Sequence, residues 1–130
     1  MDGKGQQLSF LVVDDNEDIR DVFCRLVERA GHLVSTAVDG QDAVEILQGA
    51  SFDVMLLDLT MPRMNGVEVV RWLRTHPAVA PHMRVVVISA WAGEHRAVLQ
   101  ELGITTVMQK PLRIQQLSDL IAETLLESET

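Results

Sequence analysis

Leu8-Ser9-Phe10-Leu11-Val12-Val13-Asp14-Asp15 runs from a nearly continuous apolar segment straight into two carboxylates. A short apolar run of this kind reads as a strand buried on both faces, where neither side of the pleat meets water. Working outward, four further runs follow: Leu33 to Val38, Val54 to Leu57, Val85 to Ile88 and Thr105 to Met108, the first of them interrupted by Ser35 and Thr36. Between the runs lie stretches of helical period. Ile19, Val22, Phe23, Leu26, Val27 and Ala30 trace one face of a helix, and Gly31 follows where a left-handed cap is expected. Asp39 is placed to cap a second helix carrying Ala43, Val44 and Leu47 and closed by Gly49. A third runs from about Asn65 to Thr75, with His76-Pro77 ending it. A fourth lies near Glu94 to Leu102, closed by Gly103, and a fifth begins after Pro111 with Ile114, Leu117, Ile121 and Leu125 inward. Strand and helix alternate five times. That pattern predicts an α/β fold, a single doubly wound five-stranded parallel sheet with five helices on its two faces and right-handed crossovers.

Composition narrows the function classes. The chain has 130 residues, 47% of them apolar, so one domain with a substantial core is expected over 1–130, its core about 8–127. The longest apolar runs are about five residues, against the ~20 that a membrane span needs, and no signal-peptide pattern opens the chain. Eleven basic residues against nineteen acidic ones give a net charge of −8, a poor balance for binding a nucleic-acid backbone. Cys24 is the only cysteine, which excludes an internal disulfide and suits a reducing, cytoplasmic compartment. The scattered histidines have no zinc-ligand spacing.

The residues that end the apolar runs carry the chemistry. The first run ends in Asp14-Asp15, the third in Asp58, the fourth in Ser89 and the fifth in Gln109-Lys110-Pro111. Parallel strands share a direction, so these ends meet at one edge, the edge where open α/β sheets bind ligands. Each residue alone has a plainer reading: an acid after a strand often caps a helix, a serine makes a turn, a lysine is solvated. Their coincidence on one rim is what points to a site. Gathered carboxylates repel unless a cation intervenes. An open all-oxygen rim suits Mg²⁺, with Lys110 and Ser89 placed to hold a tetrahedral anion beside it. A carboxylate next to such an anion can attack phosphorus, so phosphoryl transfer onto the protein itself is the expected reaction.

Asp14-Asp15, the segment Leu57-Asp58-Leu59-Thr60-Met61-Pro62-Arg63-Met64-Asn65-Gly66, Ser89-Ala90 and Lys110-Pro111 together resemble the receiver domain of two-component response regulators, over roughly Ser9 to Leu126. The resemblance implies the flavodoxin-like strand order 2-1-3-4-5. It makes Asp58 the phosphoacceptor and Mg²⁺ the cofactor, bound by Asp15, Asp58 and the backbone carbonyl of Thr60, with Asp14 acting through metal-bound water. Lys110 would pair with Asp58 before reaction and with the phosphoryl group after it. Ser89 would turn its hydroxyl onto the phosphoryl oxygens, and the Lys110-Pro111 bond would be cis. The implied partners are a sensor histidine kinase or a histidine phosphotransfer protein and an output partner or domain, with no direct nucleic-acid contact and no membrane insertion. The chain would be a switch rather than an enzyme with a substrate of its own.

Val107 departs from the pattern, because the family often has an aromatic toggle three residues before the lysine. Trp91, two residues after Ser89, is either a partly buried loop ring or a functional group, a gate over the site or a contact for a partner, and Trp72 packs the third helix. The loop residues Met61 and Met64 read as packing. His32, His76, His82 and His95 are expected off the rim, the phosphoryl donor coming from another protein. The competing class is an Asp-nucleophile phosphatase of the haloacid dehalogenase type, whose D-x-D motif follows the first strand; here Asp58 follows the third, and Thr60 stands two residues on. A metal-independent docking module is a second alternative, opposed by the complete acid set. No DNA-binding or enzymatic pattern follows the last helix, so either a stand-alone receiver or a piece of a longer regulator is expected.

Overall fold

The computed structural model describes residues 7–59, 64–104 and 106–128. Ten elements alternate: β1 (Ser9–Val13), α1 (Glu17–Arg29), β2 (Leu33–Ala37), α2 (Gly40–Gly49), β3 (Val54–Asp58), α3 (Gly66–Thr75), β4 (Arg84–Ser89), α4 (Ala92–Glu101), β5 (Thr106–Gln109) and α5 (Ile114–Ser128). The strands form one parallel sheet in the order β2-β1-β3-β4-β5.

The period-two alternation of the central strands sorts their side chains into two cores. Leu11, Val13, Met55, Leu57 and Val87 face α2, α3 and α4, meeting Ala43, Leu47, Val69, Leu73 and Leu99. Phe10, Val12, Val54, Leu56, Val86 and Ile88 face α1 and α5, meeting Phe23, Val27, Leu117, Leu120 and Ile121. Burial on both faces holds for β1, β3 and β4, but not for the outer strands. β2 is largely exposed, and β5 is half-buried at best. A strand with one neighbour cannot be covered as completely as one between two, and an apolar run alone does not show which position it takes.

The helix boundaries follow local chemistry. Asp39 caps α2 by accepting the Asp42 N–H at 2.8 Å. Gly31 and Gly103, after α1 and α4, have φ values of +91° and +84°, the left-handed conformation expected of them. Gly49 is the last residue of α2 and is followed by extended Ala50, so no left-handed cap closes that helix. α4 starts two residues before the expected Glu94, with Trp91 at its N-cap making no side-chain cap bond. Of the apolar face read for α1, Phe23 and Val27 are buried while Val22 and Ala30 are exposed. Among the described residues no helix is long and apolar enough to cross a membrane.

Candidate functional site

The three carboxylates converge at the C-terminal edge of the sheet. One oxygen each from Asp14, Asp15 and Asp58 lies within 4.8 Å of the others. Asp14 and Asp58 are buried, 2% and 4% exposed, while Asp15 faces water. Their neighbourhood follows from the register: β1 and β3 are adjacent, with Val13 opposite Leu57, so Asp14 and Asp58 leave adjacent strands at the same level.

The plainer capping roles for these acids are taken by other residues. Asn16 caps α1, accepting the Ile19 N–H at 3.0 Å. Asn65 caps α3 in a reciprocal box with Glu68, both bonds at 3.0 Å. Asp14 is held by one oxygen, which accepts the Asn16 N–H at 2.9 Å, while Arg20 donates to its backbone carbonyl at 2.8 Å. Asn16 and Arg20 had no assigned role from sequence. Asn16, standing just before an acidic first turn, carried a readable cap signal; Arg20 carried none.

Lys110 closes the pocket. Its Nζ donates to Asp58 Oδ1 at 3.2 Å and lies 3.5 Å from Asp14 Oδ2. The Lys110-Pro111 peptide bond is cis. Ser89 is fully buried at the end of β4. Asp58 pairs with Ile88, so Ser89 stands one residue further along the adjacent strand. Its Oγ accepts the Trp91 N–H at 2.9 Å, which leaves the hydroxyl proton available to a second partner. Backbone crowding fixes which residue can follow Asn65 at the start of α3. A Cβ on Gly66 would lie 2.7 Å from the Asp58 carbonyl oxygen, too close for any other residue to begin α3 there.

Trp91 is 57% exposed, so its ring is a surface group rather than a half-buried one. Trp72 packs α3 and stacks on His76 with ring centroids 4.3 Å apart. Val107 is half-buried against the α2–α4 core. His32 lies at the opposite edge of the sheet. His95 lies in the first turns of α4, its Nδ1 3.2 Å from the Trp91 carbonyl. Thr60 and Met61 lie outside the described residues, and Met64 packs against the α2–α4 core.

Three carboxylates and one ammonium leave the pocket rich in negative charge and in hard oxygen donors. That donor set fits Mg²⁺, which prefers carboxylate oxygen and retained water. Among the described residues it includes no imidazole or thiolate of the kind zinc favours.

The family model for the response regulator receiver domain matches residues 10–122. A response regulator receiver protein of Anaeromyxobacter is 32% identical over 85% of this chain and 46% of its own length. The alkaline phosphatase synthesis transcriptional regulatory protein PhoP of Bacillus subtilis is 32% identical over 92% of this chain and 49% of its own. The solved chemotaxis protein CheY4 of Vibrio cholerae superposes with a TM-score of 0.82 at 28% identity, covering 92% of this chain and 99% of that one. The chain spans about half the length of these two curated relatives.

Proposed function

Since the chain belongs to the response regulator receiver domain family, we propose that Asp58 is its phosphoacceptor and that Asp14, Asp15, Ser89 and Lys110 are the groups that make transfer possible. The observation that carries this reading is the Lys110 ammonium bonded to Asp58 with Asp14 alongside. Asp14, Asp15 and Asp58, with the backbone carbonyl of Thr60, would hold Mg²⁺. When bound, the ion neutralises charge on the phosphoryl oxygens.

The donor is a phosphohistidine on a sensor histidine kinase or a histidine phosphotransfer protein. An Asp58 carboxylate oxygen attacks phosphorus in line, the P–N bond breaks, and its electron pair returns to the imidazole. Lys110 then shifts from the carboxylate to a phosphoryl oxygen. Ser89 donates its free proton to another. The new group brings about −1.5 to −2 charges to the sheet edge. Because Ser89 also holds the Trp91 N–H, its reorientation is passed to the start of α4. Val107 provides no aromatic toggle, so the response runs through that hydrogen bond and the packing of α4. A partner preferring one conformation reads the state.

The chain thus works as a single receiver unit, core 8–127, in the cytoplasm, turning over only its own phosphoryl group. With a net charge of −8 this chain makes no direct nucleic-acid contact of its own, and the output falls to a partner or a further domain. The haloacid dehalogenase alternative has no support: the family match is to receivers, and the candidate nucleophile follows β3 rather than β1. Incubation with acetyl phosphate and Mg²⁺ tests the reading by intact mass. The wild-type chain gains one phosphoryl group, Asp58→Asn gains none, and chelation of the metal suppresses labelling. Undiminished labelling of Asp58→Asn would move the acceptor elsewhere.

A further inference from the structure

We propose that Gln109 is a positioning residue for phosphoryl transfer, strapping the loop that follows Ser89 to the loop that opens with Lys110. The proposal rests on the reading that these two residues grip the same phosphoryl group.

Sheet pairing between β4 and β5 ends at Ser89 opposite Gln109. The last backbone rung is Lys110 N–H to the Ser89 carbonyl at 2.9 Å. Beyond that point the two chains enter separate loops. The Gln109 side chain continues the pairing: its Nε2 donates to the Ala90 carbonyl at 2.6 Å and to the Lys110 carbonyl at 3.1 Å. Both partners are acceptors, so the amide nitrogen is the end that must face them. One side-chain amide thereby adds a rung past the end of the sheet, with both of its donor positions used.

The position of this rung matters because of what flanks it. Ala90 follows Ser89, and Trp91, whose N–H rests on the Ser89 hydroxyl, follows Ala90. On the other strand Lys110 reaches back to Asp58. Ser89 and Lys110 must meet oxygens of one tetrahedral group, and transfer is sensitive to small errors in such spacing. The strap sets the separation of the two loops without touching the group itself. The metal-binding carboxylates stand on the ends of β1 and β3, so the strap does not set their geometry. An unbranched exposed glutamine whose only task is solvation has no need to bridge two loops.

The test is Gln109→Met, which keeps length and flexibility and removes both donated bonds. Three quantities are compared with wild type, all well below the unfolding transition: the rate of acetyl-phosphate labelling, the Mg²⁺ dissociation constant from tryptophan fluorescence, and the melting temperature. Labelling slows about fivefold, the scale that either one of the two lost hydrogen bonds would set if its loss fell on the transfer step alone, while Mg²⁺ affinity stays at the wild-type value. A merely structural glutamine would lower the melting temperature and leave that rate untouched. A variant that labels at the wild-type rate overturns the proposal. So does slowing matched by an equal loss of Mg²⁺ affinity, which would mean damage to the whole pocket. If wild-type protein takes no label at all, the phosphoacceptor reading fails first and the strap falls with it.

Discussion

The two edges of the sheet use the same residue types for opposite ends. At the N-terminal edge Asp53 accepts the Ser9 N–H at 2.8 Å, and its own backbone exchanges bonds with Ser9 and Arg84. Nearby, His32 accepts the Leu8 N–H on Nδ1 at 3.0 Å, its ring 5.5 Å from that of Phe10. Arg84 reaches Thr106 and Thr124 at 3.1 and 3.2 Å. Polar side chains there close the backbone accounts of neighbouring strands. At the C-terminal edge Asp14, Asp15, Asp58 and Lys110 face one another instead. Their mutual repulsion and acceptor oxygens are what a divalent cation would neutralise. An aspartate at a strand end is therefore structural or chemical according to its partners.

That contrast can be broken by experiment. Asp53→Ala removes a charge-assisted bond to backbone and should cost about 1 kcal/mol, a fall of roughly 5 °C in melting temperature, with acetyl-phosphate labelling of Asp58 unaltered. Loss of labelling there would mean that the two edges are coupled. Asp15→Asn should do the reverse. Relief of carboxylate repulsion at an exposed site should stabilise the metal-free protein by about 0.5 kcal/mol, and added Mg²⁺ should no longer raise its melting temperature. A destabilised metal-free Asp15→Asn would show that the acids at the rim are not in conflict.

The smallest effect is a slope with pH. His32 is 6% exposed, and burial holds its pKa below the ordinary 6.5, with the Asp53 carboxylate pulling the other way. As pH falls, the unfolded chain takes up this proton before the folded one does. The stabilisation is complete above 6.5 and is lost as pH drops through the folded value. His32→Asn offers a non-titrating oxygen to the Leu8 N–H. It should be less stable through lost ring packing, yet show a flatter stability profile below pH 6.5. An unchanged profile in urea melts would remove His32 as the titrating group.

Much of the molecule is legible along the chain. Apolar runs alternating with helical period give the ten elements, and the polar residues closing those runs include Asp14, Asp15, Asp58 and Lys110, which the fold brings together. What escapes is whatever depends on lateral neighbours. The apolar pattern of Leu33 to Val38 and Thr105 to Met108 shows strands without their positions; it is the order 2-1-3-4-5 implied by the family resemblance, and found in the sheet, that puts β2 and β5 at its margins. Val22 fits the inward period of α1 and is nevertheless exposed. Asn16 and Asn65 take the caps that the plainer reading gave to Asp14 and Asp58, an outcome visible only when the helix starts are placed.

By itself the sequence determined the alternation of strand and helix, the acids after the first and third strands, and the Ser and Lys-Pro after the fourth and fifth. Local patterning encodes these, because burial selects residue type one position at a time. The tertiary structure alone decided that Lys110 also comes within 3.5 Å of Asp14, that Ser89 holds the Trp91 N–H, and that Gln109 ties Ala90 to Lys110. These are contacts between loops of adjacent strands, and their geometry comes from register and packing rather than from any run of neighbours in the chain.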